Sequence, residues 1–237
     1  SKKLILAHKD GKFLHDGSPY SDSFDFKQFF YASTVMGCLY DCHYCYLQGL
    51  YPSANTVLFV NLEDAFIELN PYLNTNTLVA TSYDTDTLAI ESLTGQTKQW
   101  INFTQDHKHL HLEIRTKSAY TKIFSDLSPY QNITFAWTLS PQPIIDKYEW
   151  ATPSLVQRLK AAQVAINKGW NVRLCIDPIL YQDNFEQDYD DLINIMIETL
   201  KWIASALFLF SALLISSNIV LSKWGYVTFL IGHIIFI

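Results

Sequence analysis

Gly37-Cys38-Leu39-Tyr40-Asp41-Cys42-His43-Tyr44-Cys45-Tyr46 is the stretch on which the reading of this chain turns. Its cysteines are spaced C-x3-C-x2-C and come directly after residues 29–34 (Phe-Phe-Tyr-Ala-Ser-Thr), a short run of strand character that leads into Gly37. Three thiolates on one loop can ligate three irons of a cubane, leaving the fourth iron open to chelate the amino and carboxylate groups of another molecule. The methionine end of S-adenosylmethionine is such a bidentate group. An electron passed into its sulfonium breaks a carbon–sulfur bond and yields a 5'-deoxyadenosyl radical, with the protein positioning the reactants. Two other readings compete: a zinc site, and three unrelated cysteines. Zinc would want a fourth ligand, which His43 is near enough in sequence to supply, but the loop lacks the paired C-x2-C knuckles of structural zinc sites. Cys175, inside the apolar run 172–176, reads as a small buried core residue.

Outward from the loop, short apolar runs recur at 77–81, 110–115, 133–138 and 172–176, each suited to a buried strand. Helical patterns lie between them. In the clearest, Leu155, Leu159, Ala162 and Ile166 share one face, with Thr152 expected as N-cap, Pro153 at the first helical position and Gly169 as terminator. Weaker helical patterns cover 61–69, 86–103, 118–127 and 190–200. Five alternations of strand and helix predict an α/β fold with a parallel sheet and right-handed crossovers, either open or curled into a partial (β/α) barrel. Ligands of such folds sit at the carboxyl ends of the strands.

The chain has 237 residues, 49% of them hydrophobic and 15% aromatic, enough for one sizeable core and too apolar for disorder. Four cysteines in this length do not make a disulfide framework, and no basic-then-apolar leader opens the sequence, so a reducing, cytoplasmic setting is expected. From residue 200 onward only Lys201 and Lys223 are charged, so the net charge of −6 becomes −8 over residues 1–199 once those two are set aside. An acidic domain does not draw phosphate backbones from a distance, so nucleic-acid contact would need a local basic groove. Residues 203–221 form an uncharged run of 19, flanked by Trp202, Lys223 and Trp224, and residues 224–237 add 14 more. The first run is long enough to span a bilayer and predicts a membrane-attached, helical tail; the alternatives are a buried core helix and a joined reading frame. The expected organisation is an N-terminal extension at 1–29, a core at 30–200 and the tail at 201–237.

The cysteine loop resembles the radical S-adenosylmethionine superfamily signature, and C-x3-C-H-Y-C-Y-L resembles the spore photoproduct lyase family in particular. The resemblance continues through Ile145, Tyr148-Glu149, Arg158-Leu159, Ala161-Ala162, Gly169-Trp170 and Ile176-Asp177-Pro178-Ile179, covering residues 30–200 with no counterpart for the tail. It implies a radical core truncated before its sixth strand, a 4Fe-4S cluster on Cys38, Cys42 and Cys45, and S-adenosylmethionine as cofactor. It also implies Tyr44 as a nucleoside contact, Tyr44 and Tyr46 as a radical relay, and Thr85, Lys117 and Ser140 as further cofactor contacts. The implied substrate is a thymine-dimer photoproduct in DNA, flipped out of the stack, with an electron donor such as a flavodoxin or ferredoxin. One departure stands out. Where lyases of the family carry a hydrogen-returning cysteine after the second strand, this chain has Tyr83, which either takes over that donation or marks a relative with another substrate or a lost repair activity. The DNA-contacting hairpin of the family is also missing. The alternative reading is a membrane-attached or truncated iron–sulfur or zinc module without turnover.

Two other features carry an expectation. His107, His109 and His111 alternate, and on a strand would share one face as a candidate metal site, although a polar strand entry is the simpler account. Asp177-Pro178 closes the fifth predicted strand at the ligand face, so Asp177 is a candidate contact to ribose or substrate, or simply a turn residue.

Overall fold

The computed structural model describes residues 2–18 and 24–200. The membrane expectation for residues 203–237 falls outside the described residues, among which no helix is long and apolar enough to cross a membrane. In chain order the strands are β1 (Leu4–Ala7), β2 (Leu14–Asp16), β3 (Gln28–Ala32), β4 (Val35–Met36), β5 (Asp41–Cys42), β6 (Thr56–Phe59), β7 (Thr77–Ala80), β8 (Leu110–Thr116), β9 (Ile133–Thr138), β10 (Glu149–Trp150) and β11 (Asn171–Cys175). The helices are α1 (Leu47–Leu50), α2 (Leu62–Leu69), α3 (Glu91–Thr94), α4 (Gln96–Gln105), α5 (Ile123–Asp126), α6 (Gln142–Tyr148), α7 (Leu155–Asn167) and α8 (Phe185–Thr199).

The main sheet runs β11-β9-β8-β7-β3-β2. Neighbours from β3 to β11 are parallel, and β2 closes the β3 edge as an antiparallel strand. Residues expected in an N-terminal extension therefore supply an edge of this sheet through β2 and, through β1, an edge of a second sheet ordered β1-β6-β4. Period-2 alternation sorts the main sheet's faces. Phe30, Val79, Leu112 and Ile133 are register partners in one row, and all are buried in the hydrophobic core. Tyr31, Ala80 and Glu113 form the adjacent row, which points to the other face. The core is strongly aromatic: Trp100, Phe124, Phe135, Trp137 and Trp170 are all buried there, with Phe124, Phe135 and Trp170 mutually within 6.2 Å.

The helix boundaries differ from expectation for local reasons. Helix α7 is capped by Ser154, not Thr152: Ser154 and Gln157 form a capping box. Thr152 instead donates to the Glu149 carbonyl at 2.7 Å. Gly169 does end the helix, with φ +85°, its N–H on Ile166 O at 2.9 Å and Trp170 N–H on Ala165 O at 3.1 Å, a Schellman closure. The single helix expected over 86–103 is broken by Gly95 at φ +64° into α3 and α4. Glu91 accepts from Thr97 N–H at 2.8 Å and Lys98 N–H at 3.2 Å, so its carboxylate caps α4 from the preceding turn. The helix expected over 118–127 shrinks to α5, and α8 begins at Phe185.

Candidate active site

Because β3, β7, β8, β9 and β11 are parallel, their carboxyl ends share one edge of the sheet, and the segments leaving them meet there. The chain leaving β3 turns through β4 to Gly37. This glycine sits at φ +81°, and a Cβ on it would fall 2.5 Å from Asn55 O, so the close approach of the loop to the start of β6 requires glycine. Beyond it the cysteine loop is clipped to the far side of the site. β5 pairs antiparallel with β10, setting Cys42 opposite Glu149, and His43 N–H donates to Tyr148 O at 2.8 Å.

A cavity of about 130 Å3 opens at this edge, walled on one side by Cys38, Tyr40, Cys42, Tyr44 and Cys45. Its other walls are strand-end residues: Tyr83, Thr85 and Asp86 after β7, Arg115, Thr116 and Lys117 of β8 and just beyond, and Thr138 of β9. Burial, with Asp86 nearby, pushes the Cys38 thiol up to about 12, and burial pushes Cys42 up to about 11 against the opposing pull of Lys117. Metal binding requires thiolates and releases protons, so these thiols ionise as iron arrives. Asp86 is buried beneath the cavity, where it accepts from Thr116 Oγ1 at 2.8 Å, Lys117 N–H at 2.7 Å and Ala89 N–H at 3.0 Å. Burial still holds its carboxyl above the ordinary range.

The structure brings most of the sequence-derived candidates together. Lys117 Nζ lies 5.5 Å from the Tyr44 ring centroid. The Thr85 hydroxyl is buried and has no hydrogen-bond partner among the described residues, an orphan polar atom in the cavity wall. Tyr46 sits outside the cavity lining and is 58% exposed, but its hydroxyl donates to the Tyr83 carbonyl at 2.6 Å, and the Tyr83 ring stacks on Tyr31 at 4.9 Å and 15°. Ser140 does not line the cavity; it donates to Glu149 Oε1 at 2.8 Å. Asp177 is likewise one layer back, in an ion pair with Arg115 that leaves its Oδ1 buried and without a partner among the described residues. Cys175 is buried at the end of β11, as expected of a core residue.

Behind the cavity wall lies a buried group to which the sequence motifs assign no role. Glu149 and Arg158 form an ion pair at 2.5 Å with both side chains fully buried. The Glu149 carboxylate also accepts from the Tyr44 hydroxyl. Burial works against ionising Glu149, yet the Lys117 and Arg158 cations and the Tyr44 hydrogen bond hold its carboxyl below the usual range. One signal in the sequence pointed there: Arg158 falls on the same helical stripe as Leu155, Leu159 and Ala162, a charge on a buried face.

The zinc and histidine readings do not form. Among the described residues, no three His, Cys, Asp or Glu side chains converge to hold a single metal ion. His43 packs edge-on against Trp150 at 4.2 Å. His107 and His111 lie against Phe103 and Phe26, at 4.6 and 4.7 Å, and of the three alternating histidines only His111 lies in β8. A cubane asks for something different, one thiolate on each of three irons. Three thiols on the wall of one cavity, an orphan hydroxyl and a nearby cation fit that group together with a polar ligand on its open iron.

The family model of spore photoproduct lyase matches residues 29–215. The chain belongs to the spore photoproduct lyase family. The match runs past residue 200, so part of the tail expected to lack a counterpart has one. Spore photoproduct lyase of Geobacillus sp. is 27% identical over 170 residues, covering 70% of this chain and 50% of the relative. That of Bacillus subtilis is 25% identical over 165 residues, covering 67% and 48%. The chain thus spans about half the length of the curated relatives it matches. Among solved structures, spore photoproduct lyase complexed with dinucleoside spore photoproduct superposes with a TM-score of 0.75 at 23% identity, over 83% of this chain and 57% of that one. A mutant spore photoproduct lyase with bound AdoMet and the same dinucleoside gives 0.74 at 23% identity, with the same coverage. At that identity the structures establish the α/β fold.

Proposed function

We propose that this chain is a radical S-adenosylmethionine lyase acting on the thymine-dimer photoproduct of DNA, with its main sheet forming the partial (β/α) barrel of that enzyme type. The observation that carries the reading is the convergence of Cys38, Cys42, Cys45, Tyr83, Thr85 and Lys117 on one cavity at the carboxyl ends of parallel strands. Membership of the family, and relatives named for this substrate, support the same reading. With a 4Fe-4S cluster on the three cysteines, S-adenosylmethionine bound to it supplies a carbon-centred radical once an electron arrives from a flavodoxin- or ferredoxin-like donor.

The chain's own residues do the positioning. Lys117 places a cation on the wall, suited to an anionic carboxylate or phosphate, while the neighbouring Arg115 is already paired with Asp177. The unpartnered Thr85 hydroxyl offers a hydrogen bond to the bound cofactor, and the Tyr44 ring offers a face to its nucleoside. We assign hydrogen return to Tyr83 and the radical relay to Tyr44 and Tyr46, a reading supported by the hydrogen bond from the Tyr46 hydroxyl to the Tyr83 carbonyl. A dimer in DNA reaches this recessed cavity only by leaving the stack.

The test is anaerobic reconstitution of the full chain with iron and sulfide, reduction, and addition of S-adenosylmethionine with and without a dinucleoside spore photoproduct. We expect 5'-deoxyadenosine from the native chain, none from the Cys38, Cys42 and Cys45 triple alanine variant, and conversion of the photoproduct to thymines. Cleavage of S-adenosylmethionine without photoproduct repair would retain the radical chemistry and overturn the substrate. A fully loaded cluster without cleavage would overturn the activity.

A further inference from the structure

The cysteine loop needs a fixed place relative to the strand ends, and the structure shows one side chain that ties them together. Glu149 lies opposite Cys42 in the β5–β10 ladder. Its carboxylate is fully buried and receives three groups from three segments: the Tyr44 hydroxyl from the cysteine loop, Ser140 Oγ from beyond β9 at 2.8 Å, and Arg158 from α7 at 2.5 Å. Arg158 in turn is held by the Thr138 carbonyl at 3.1 Å, the Pro153 carbonyl at 2.9 Å and Thr152 Oγ1 at 2.7 Å. An ion pair placed for stability alone is a weak device, because apolar replacements of buried pairs are often as stable. This one is spent on a cavity residue. The Tyr44 ring is gripped at its hydroxyl by Glu149 and faced by Lys117 at 5.5 Å, which leaves the ring little freedom to tilt.

We infer that Glu149 is a positioning residue: through the Tyr44 phenol it fastens the cysteine loop to the ends of β9 and β10 and sets the ring that walls the cavity. This rests on the proposed function only in naming the adenosine of S-adenosylmethionine as the group that meets the ring. The fastening itself belongs to the polypeptide and is measurable without metal. Charge-assisted hydrogen bonds of this kind are strong enough that losing one changes a local equilibrium by roughly 10-fold or more.

The experiment has two arms on the full chain, with Glu149→Gln, Tyr44→Phe and the double variant. In the first, backbone hydrogen exchange is followed in the metal-free protein. We expect exchange of the His43 and Cys45 amides, bonded to Tyr148 O and Cys42 O, to quicken roughly 10-fold in both single variants and no further in the double variant. In the second, the dissociation constant for S-adenosylmethionine of the reconstituted proteins should rise on the order of 10-fold, again without addition in the double variant. Tyr44→Phe introduces no new buried group, so it decides the matter if Glu149→Gln fails to fold. The inference is overturned if Tyr44→Phe leaves loop exchange at the native rate, or if the single effects multiply, because Glu149 would then act on the fold and not through Tyr44. A native protein that binds no S-adenosylmethionine would sink the functional reading instead, with the exchange arm still deciding the fastening.

Discussion

At the scale of single residues, the site depends on groups whose replacement costs far more than their surface would suggest. Arg158 neutralises a carboxylate that has no access to water, so Arg158→Ala leaves Glu149 buried without its counter-charge. The expected loss is about 3–5 kcal/mol of folding stability, read from urea unfolding curves. Gly37 carries a different burden. Alanine there would take a left-handed conformation and press its Cβ on Asn55 O, so Gly37→Ala is expected to cost about 2 kcal/mol or more and to lower iron bound per chain on reconstitution. An unchanged iron content with native stability would show that the loop tolerates another path. The three cysteines could be singled out in the sequence because spacing on one loop is a local property, whereas Tyr44 and Tyr83 were pointed to only by the family resemblance; all five line the one cavity. No role for Glu149 was legible, because its partners Tyr44 and Arg158 lie 105 and 9 residues away and only the folded chain brings them together.

At the scale of elements, the strands kept close to their expected bounds, as did α2, whereas several other helix ends did not. Strand runs such as 133–138 are apolar from end to end, and burial in a parallel sheet selects them directly. Helix ends are decided by caps, which are choices among several nearby polar side chains; Ser154 won over Thr152 because Gln157 completes its capping box. Glu91 is the cap with the clearest consequence. Removing its carboxylate in Glu91→Ala frees two N–H groups at the start of α4 and is expected to cost about 1–2 kcal/mol. Burial raises its carboxyl above the ordinary 4.5. The folded state therefore holds this proton more tightly than the unfolded chain, and the stability due to Glu91 is fully present below 4.5 and declines as pH rises through the elevated folded value. The stability difference between the native chain and Glu91→Gln, measured from pH 4 to 7, should shrink with rising pH; a difference that grows would mean the two N–H bonds outweigh burial.

At the scale of the whole molecule, β2 from the N-terminal segment and β11 lie on opposite edges of one sheet over one aromatic core. Loss of either edge exposes the same core, so unfolding of the described part is expected to be a single event. Far-ultraviolet circular dichroism and the fluorescence of the buried Trp100, Trp137 and Trp170 should follow coincident urea transitions, and separated midpoints would reveal an independently stable N-terminal unit. The sequence by itself determined the alternation of strand and helix, which rests on periodicity, and the cysteine motif that marks the family, which rests on short spacings along the chain. Only the tertiary structure decided that β1 and β2 join the sheets, that Ser140 and Asp177 stand behind the cavity and not in it, and that a buried carboxylate grips Tyr44. Those features are set by which strand edges pair and which charges share a desolvated space, and contacts between distant segments leave no period in the sequence to read.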